Sequence, residues 1–351
     1  MERDLPMNRR WTYLPAFCLG LALSACGGSS SSGGKTGTPI PVQYGDLMAV
    51  AYGNGVFVAA GDQNLGNRFF TWTTTSTDGV NWKSQGEPDA DGPDKISSVA
   101  YGGAGFMATT ELSGELFTST DGLNWTEVTT VAENVLGDDV TWDGTEYILD
   151  GSSGFQTSTD GVGWSPLDMD TSNPFPQADQ IVKVASVAYA PVSIPTGTPG
   201  MFTSGIGSST DLVHWTVIYN AAAGVTLDRL FHVGSTFIAL SAQDEVVTSP
   251  DGSTWTSQAV GSLPDLDQVV TNGSVYVGVD TRDSEVFYSH DGVTWTKSLD
   301  LPAPEVNSDS GLGFAAAAPG GLIVIVGGGR TNPYSFAGTD GIHWKQGAPR
   351  P

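Results

Sequence analysis

The sequence predicts an all-β protein, a seven-bladed β-propeller whose blades are four-stranded antiparallel sheets. A short turn motif occurs seven times along the chain, at intervals of 39 to 51 residues, which is the length of a four-stranded unit. Pairs of β-rich runs precede the motif in the repeats. No segment has a sustained helical period of apolar residues, and Gly, Ser and Thr are too frequent for long helices.

Each repeat begins with a hairpin signal. In the first, Val50–Gly53 and Val56–Ala59 flank an Asn-Gly turn. A variable loop, a third β-run at Thr73–Ser76 and the repeated turn follow, and a final strand starts near Trp82. We therefore expect the repeated turn to join strands three and four of each blade. Seven such meanders arranged radially cover one another's faces.

The repeated motif is a hydroxyl residue, any residue, Asp, usually Gly, two further residues and Trp. Its seven Asp and Trp positions are Asp78 and Trp82, Asp121 and Trp125, Asp160 and Trp164, Asp211 and Trp215, Asp251 and Trp255, Asp291 and Trp295, and Asp340 and Trp344. The carboxylate accepts backbone N–H bonds, Gly supplies a positive φ, and Trp fills the gap between sheets. We therefore assign these residues a structural role and predict no catalytic residue among them.

Two copies and one blade depart from the pattern. Leu212 replaces Gly in the fourth copy and Gly338 replaces Ser in the seventh, so we expect weaker turns at these places. A Pro/Gly-rich insertion from Pro191 to Gly200 lengthens the fourth repeat. These departures predict local changes that leave the number of blades the same.

The motif resembles the Asp-box, also called the BNR or sialidase-type repeat, of sialidases, sortilin-like receptors and photosystem assembly factors of the Ycf48 type. The resemblance is carried by Ser-Thr-Asp-Gly-Val-Asn-Trp from Ser76, Ser-Thr-Asp-Gly-Leu-Asn-Trp from Ser119 and Ser-Pro-Asp-Gly-Ser-Thr-Trp from Ser249. It covers residues 40–351 and implies one propeller domain with an Asp-box between strands three and four of each blade.

The first residues predict export and a lipid anchor. Arg9 and Arg10 precede an apolar run from Leu14 to Leu23, which is too short to span a bilayer. The run ends in Leu-Ser-Ala-Cys, which resembles the lipobox of bacterial lipoproteins and implies lipidation of Cys26. We thus expect a signal peptide at 1–25, the lipidated cysteine with a flexible Gly/Ser tether at 26–39, and the propeller at 40–351. An ordinary cleaved signal and a free exported protein is the alternative.

The expected location is the bacterial cell envelope. The resemblance to lipoproteins implies that an Asp after Cys26 would favour the inner membrane, and Gly27 stands there instead, which favours the outer membrane in a Gram-negative cell. With the signal removed, Cys26 is the one remaining cysteine, so no disulfide or cysteine-metal site is expected. The four histidines have no metal-ligand spacing, and we predict no metal and no cofactor.

Charge limits the partners. The chain has 38 acidic and 14 basic residues and a formal charge of -24, which repels nucleic acid and anionic lipid. We therefore expect no nucleic acid partner and membrane contact only through the lipid anchor. A monomer is expected.

Function is expected on the face opposite the repeated turns, where the loops between strands two and three meet those between blades. Arg68, Arg282 and Arg330 fall in equivalent loops of blades one, six and seven, which are neighbours in a closed ring. Three guanidiniums there could bind a carboxylate or another anion. Alternatively, they pair with the nearby Asp62, Asp280 and Asp283 as solvated ion pairs.

Two functions remain open. The first is a non-enzymatic binding or scaffold module that holds a protein or a glycan at its loop rim. The second is a glycoside hydrolase or lyase similar to sialidases, acting on an acidic sugar near the three arginines. The closure of the ring is open too, because the chain begins on an inner strand near Asp46 and ends near Trp344, while Ile40–Gln43 could add a strand to the last blade.

Overall fold

The structure is a computed structural model. It describes residues 43–64, 69–84, 94–111, 113–128, 137–151, 154–166, 175–176, 181–198, 200–241, 243–299, 301, 311–328 and 333–349. The propeller lies within one compact unit, Pro41–Pro351. The predicted signal peptide, Cys26 and the tether, as well as Arg68 and Arg330, lie outside the described residues.

The described strands form seven antiparallel sheets in chain order. Blade 1 consists of β1 (Gln43–Gly53), β2 (Val56–Asn64), β3 (Phe69–Ser76) and β4 (Lys83–Ser84). Blade 2 consists of β5 (Ile96–Gly102), β6 (Gly105–Thr110), β7 (Leu116–Ser119) and β8 (Thr126–Glu127). Blade 3 consists of β9 (Gly137–Trp142), β10 (Tyr147–Gly151), β11 (Gly154–Ser158) and β12 (Ser165–Pro166). Blade 4 consists of β13 (Phe175–Pro176), β14 (Val182–Val184), β15 (Val187–Pro195), β16 (Phe202–Ser209) and β17 (Thr216–Asn220).

Blades 5 to 7 complete the ring. Blade 5 consists of β18 (Leu227–Val233), β19 (Thr236–Ser241), β20 (Glu245–Ser249) and β21 (Thr256–Ala259). Blade 6 consists of β22 (Gln268–Thr271), β23 (Tyr276–Asp280), β24 (Glu285–Ser289) and β25 (Thr296–Lys297). Blade 7 consists of β26 (Gly311–Ala317), β27 (Ile323–Gly328), β28 (Tyr334–Gly338) and β29 (Lys345–Gly347). Six sheets are plain four-stranded meanders in which each strand pairs with the next. The predicted fold, a seven-bladed all-β propeller, is confirmed.

Blade 4 corrects the prediction of an insertion at Pro191–Gly200. Much of that segment belongs to β15, which pairs with β16 as far as Pro195 opposite Phe202. The inner strand is split, because β13 pairs with Val192 and Ser193 whereas β14 pairs with residues 187–189 of β15. Pro191 lies at the gap between the two pieces, where the N–H that proline lacks is not needed for pairing with the inner strand.

The hydrophobic core lies between the blades. One cluster joins Ala49 and Val58 of blade 1 to Ile96 and Phe106 of blade 2. The second strands of blades 7 and 2, β27 and β6, are buried along almost their whole length because a neighbouring blade covers each face. A single blade could not bury both faces of its own sheet, so the stability of each blade depends on its neighbours.

An aromatic pair also recurs across the first hairpin of several blades. Tyr52 lies opposite Phe57, and their ring centroids are 4.8 Å apart. Tyr101 with Phe106, and Trp142 with Tyr147, repeat this arrangement at 4.7 Å. Such cross-strand pairs stabilise a sheet by about 0.2 to 1 kcal/mol each. The sequence run that signalled the hairpin thus supplies one of its stabilising contacts.

The repeated Asp and Trp residues lie in the turns between strands three and four, and we call these the Asp–Trp turns. In blade 2, Asp121 Oδ1 accepts N–H bonds from Leu123 at 2.9 Å and Asn124 at 2.8 Å. The Ser119 hydroxyl donates to Asp121 and accepts from the N–H of Gly122 at 2.8 Å. The Asn124 N–H bond is the main reason that the pKa of Asp121 is lowered to about 2.

Every Asp–Trp turn docks on the preceding blade. A Cβ on Gly122 of blade 2 would lie 2.2 Å from Val58 Cγ2 of blade 1. A Cβ on Gly79 would lie 2.4 Å from Val324 Cγ2 of blade 7. The indole N–H of Trp125 donates to Thr73 Oγ1 of blade 1 at 3.1 Å. Glycine is therefore required both by its positive φ and by the space that the preceding blade leaves.

Leu212 fits the same place by a different route, and the expected weakening of its turn stays a prediction. It adopts a φ of 62°, and its side chain is only 4% exposed. The side chain packs on Ile148 and Phe155 of blade 3. Asp211 keeps its N–H bonds, from Val213 at 3.0 Å and from His214 at 2.8 Å. Burial of a leucine, worth about 1.5 to 3 kcal/mol, offsets the cost of about 1 to 2 kcal/mol for a left-handed residue.

Gly338 has a steric reason as well. A Cβ at this position would lie 2.7 Å from His343 O and 2.9 Å from Trp344 Cε3. The neighbouring Asp340 still accepts N–H bonds from Ile342 at 2.9 Å and from His343 at 2.8 Å. The missing serine thus makes room for the indole of Trp344, which is one of two Asp–Trp tryptophans buried to below a tenth of their surface.

The ring closes by packing of blade 1 against blade 7. Trp82 Nε1 donates to Ser335 Oγ at 2.8 Å, and this hydroxyl donates to Gly79 O at 2.7 Å. The described strands of each of the two blades come from one continuous stretch of chain, so no described strand is exchanged between them. Gln43 pairs with Asn64 inside blade 1, while residues 40–42 lie outside the described ranges.

The fit of the turn glycine can be tested with Gly122→Ala. We expect it to destabilise the fold by about 1 to 3 kcal/mol more than Gly55→Ala, because only the first substitution forces a methyl group into Val58. Both glycines have a left-handed φ, 75° and 80°, and a Cβ at Gly55 would meet nothing within 4 Å. Urea unfolding followed by tryptophan fluorescence measures the difference; equal losses would contradict the docking of the turn.

Acid should unfold the ring through the Asp–Trp turns. The pKa values of Asp121 and Asp340 are about 2 in the fold, against 3.8 as the ordinary value, so the ionised carboxylates stabilise the folded state. That stabilisation is complete above pH 4 and is lost as the pH falls towards 2. We expect the free energy of unfolding to fall across this window, and Asp121→Asn to flatten its pH dependence. An unchanged slope in that variant would exclude this role.

Candidate binding surface

Arg282 is the one member of the predicted arginine cluster among the described residues. It lies in the turn between β23 and β24, and its Nη2 is 2.7 Å from Asp265 Oδ2. Its Nε lies 3.9 Å from Asp283 Oδ1, and the side chain is 47% exposed. The guanidinium is thus paired mainly with Asp265, an acid outside the set suggested by the sequence. The other two members, Arg68 and Arg330, lie outside the described residues.

A second arginine, Arg229, lies beside this turn. It belongs to β18 of blade 5, and its Nη2 is 3.1 Å from Asp267 Oδ1 of blade 6. Its Nε also donates to Leu266 O at 3.3 Å. Arg229 was not among the candidates expected from sequence because it lies on a strand and not in a loop between strands two and three. The start of each inner strand opens on the same face, and Asp228-Arg229 at such a start was the available signal.

Hydrogen bonds hold the surrounding backbone in place. Asp267 Oδ2 accepts from the N–H of Thr281 at 2.9 Å and from its hydroxyl at 2.6 Å. Asp280 Oδ1 accepts from the N–H of Asp283 at 2.9 Å. Gln268 Oε1 accepts from the N–H of Ala315 at 2.6 Å, which ties the segment to blade 7. The charged groups therefore lie on a rigid support.

We call this surface the blade 5–6 acidic cluster, and it consists of Asp228, Arg229, Asp265, Asp267, Asp280, Arg282 and Asp283. Five carboxyl groups face two guanidiniums, so the cluster has an excess of negative charge. Burial raises the pKa of Asp228, and the charge of Arg229 only partly opposes it. Burial also raises the pKa of Asp280, against the N–H bond from Asp283. Cationic groups and N–H donors are the ligands that such a surface attracts.

Other charged residues serve the framework. Asp62, one of the acids considered as an arginine partner, is buried and accepts the N–H of Asp46 at 3.1 Å. Lys183 Nζ lies 2.7 Å from both Asp143 Oδ2 and Glu146 Oε1 and so joins the inner strand of blade 4 to blade 3. Both groups are committed to contacts within the fold.

The described residues form neither a metal-binding group nor a membrane-spanning helix. Among the described residues, no group of three or more His, Cys, Asp or Glu side chains is placed to hold a metal ion. Within these ranges the chain also has no helix long and apolar enough to cross a bilayer.

Comparisons with known proteins agree on the fold. The family model described as the DUF6242 beta propeller domain matches residues 34–188, which is less than half of the chain. No curated protein sequence matches the chain. Hundreds of solved chains do match it in shape. The similarity therefore rests on architecture and on the first blades, and it supports a β-propeller.

Three of the solved structures with TM-scores above 0.5 illustrate this likeness. The structure of YCF48 bound to D1 peptide has a TM-score of 0.55 at 13% identity, covering 83% of this chain and 93% of that one. Virginiamycin B lyase from Staphylococcus aureus has 0.56 at 8% identity, covering 84% and 94%. The β-propeller domain of the Trilobed protease from Pyrococcus furiosus, described as having an open velcro topology, has 0.52 at 8% identity, covering 89% and 96%. At such identities the likeness concerns the fold alone.

The effect of burial on the Asp228 carboxyl group can be tested with Asp228→Asn. Its pKa is raised in the fold, so the ionised carboxylate disfavours the folded state at pH 7 and this penalty vanishes below pH 4. We expect the variant to be more stable than the wild type at pH 7 and equal to it near pH 4, as measured by urea unfolding. The exposed Asp283→Asn should change stability by less than about 0.5 kcal/mol at either pH. A loss of stability at pH 7 in Asp228→Asn would contradict the role of burial.

Proposed function

We propose that this chain is a lipid-anchored envelope β-propeller that acts as a non-enzymatic binding module for a protein. The observation that carries the proposal is the blade 5–6 acidic cluster, on the face opposite the Asp–Trp turns. There Arg229 pairs with Asp267 and Arg282 with Asp265. The hydrogen bond from Ala315 N–H to Gln268 Oε1 ties the neighbouring backbone to blade 7. A rigid surface with both charges and an acidic excess suits a segment with basic side chains and N–H donors.

The comparison structures support a protein as the partner. YCF48, which has a similar fold, was solved bound to D1 peptide, so a propeller of this form can hold a peptide. An acidic cluster complements a basic peptide better than an acidic glycan. The cluster lies away from the Asp–Trp turns, whose docking joins each blade to the preceding one.

The glycosidase alternative gains no support from Arg282. A sialidase-like site needs guanidiniums that are available to a substrate carboxylate, and that of Arg282 is 2.7 Å from Asp265. The neighbouring carboxyl groups would repel an acidic sugar. We therefore place the binding module first and assign no catalytic residue.

The anchor follows from the sequence. The apolar run before Cys26, the Leu-Ser-Ala-Cys tetrapeptide and the Gly/Ser tether are consistent with a globular domain held at a membrane by lipid. Such an anchor would leave the propeller free to orient either face towards a partner.

The partner can be captured by a photo-crosslinking amino acid placed at Ser262, an exposed residue three positions before Asp265 of the cluster. The full chain is used, in its native cells. We expect a protein adduct, identified by mass spectrometry, that does not form from Val162, which is exposed in an Asp–Trp turn on the other face. Asp283→Asn should lower the yield, and Glu127→Gln on the exposed outer strand β8 should not. Equal adducts from both faces would reject the proposed surface.

The anchor is tested separately with Cys26→Ser. We expect the wild-type chain to partition with membranes and to carry a lipid that metabolic labelling detects. The variant should be unlabelled and should leave the membrane fraction, because a thioether-linked lipid requires the cysteine sulfur. A matched Ser24→Ala variant should stay anchored. Membrane retention of the unlabelled Cys26→Ser chain would show that lipid is not what holds the protein.

A further inference from the structure

Blade 4 differs from the others at its outer edge. The outer strands of five blades, β4, β8, β12, β25 and β29, are two or three residues long, and each contains Lys, Glu or Pro. Short length and such residues discourage the edge of a sheet from pairing with another chain. The outer strand of blade 4, β17, has five residues, Thr-Val-Ile-Tyr-Asn, with no charge and no proline. It is the longest of the described outer strands.

The outer strand of blade 5 lacks a charge as well, but a carboxylate lies beside it. Ser257 on β21 donates a hydrogen bond to Glu245 on the adjacent β20. By contrast β16, the partner of β17, has no charged residue between Phe202 and Ser209. Among the described residues no strand pairs with the outer side of β17. The edge of blade 4 therefore lacks the charge, the proline and the short length of the other edges, and its irregularity is a bulge at Ile218, where the register with β16 shifts.

This edge continues into an uncharged surface. From Lys183 to Asp211, and from there to Asp228, the chain contains no other Asp, Glu, Lys or Arg, although its net charge is -24. Met201 and Phe202, next to the start of β16, are 59% and 54% exposed. Pairing with β16 continues one residue past the end of β17, since Ala221 N donates to the main chain of β16 at 3.0 Å. The outer strand thereby extends towards Met201 and Phe202. We call β17, Met201 and Phe202 together the blade 4 edge.

We propose that the blade 4 edge joins two copies of this chain in a two-fold dimer in which the β17 strands pair antiparallel. Two chains of charge -24 repel each other where their acidic surfaces meet, so they can approach only through an uncharged region. A cationic partner would gain from the acidic surface and would need no uncharged one. An antiparallel pair of identical strands has the self-complementary geometry that a two-fold axis requires.

The dimer goes beyond the proposed binding function and uses a different surface. It departs from the monomer expected from sequence. Two copies would present two blade 5–6 acidic clusters, which would raise the avidity for a partner with two binding segments.

Sedimentation velocity of the full chain tests the proposal. Between about 1 and 100 µM we expect a reversible dimer, by mass action. Raising the salt from about 0.05 to 0.5 M should tighten it, because screening weakens the repulsion between the two acidic chains. The double variant Thr216→Asp with Asn220→Asp, at the two exposed ends of β17, should raise the dissociation constant at least about tenfold.

The matched control is Thr126→Asp with Thr296→Asp. These exposed threonines follow Trp125 and Trp295 as Thr216 follows Trp215, and the control adds the same charge to short outer strands. It should keep the dissociation constant within about twofold. A chain that stays monomeric at the highest concentration and salt overturns the proposal. So does a dimer that both double variants weaken equally, or one that Thr216→Asp with Asn220→Asp leaves unchanged. If that variant fails to fold, Met201→Asp with Phe202→Asp is read in its place.

Discussion

The docking of each Asp–Trp turn onto the preceding blade is the contact on which the ring depends. A single four-stranded sheet has no partner for its two faces, and the interior of this protein consists of clusters shared by adjacent blades. On the turn face, each contact between blades is made by the Asp–Trp turn. Its glycine or leucine packs against the preceding blade, and its indole lies beside that residue. Because the first turn meets blade 7 as the second meets blade 1, the same contact closes the ring, and no described strand is shared between blades 1 and 7.

This arrangement gives the two faces of the propeller different duties. On the turn face, the Asp carboxylates accept the N–H groups of their own turns, and the glycines have no space for a side chain. On the opposite face, loops carry the residues that vary in length and charge from blade to blade. Substitutions there leave the docking contacts intact, and this is why the search for function leads to Arg229 and Arg282 rather than to the most regular residues of the chain.

The sequence predicts the number of blades because each motif specifies the same turn conformation. Prediction from sequence fails where a residue makes the required contact in another way. Leu212 looked like a defect, yet its side chain fills the space between blades 3 and 4. Pro191 looked like part of a loop, yet it lies in β15 opposite a gap in the inner strand. Arg229 was missed because it belongs to a strand, and a strand residue reaches the loop face only when it starts an inner strand.

Burial and hydrogen bonding also shift the pKa values of the carboxyl groups on the two faces in opposite directions. Asp121 keeps its charge down to about pH 2 because N–H donors surround it, and such bonds lower the pKa values of the other turn carboxylates as well. Burial raises the pKa values of Asp228 and Asp280 instead, so these groups lose their charge first when the medium becomes acidic. The acidic excess around Arg229 and Arg282 therefore falls while the ring is still held by its turns. Attraction of a basic segment to this surface can thus decline in acid before the scaffold loosens, since the two properties depend on carboxyl groups in opposite environments.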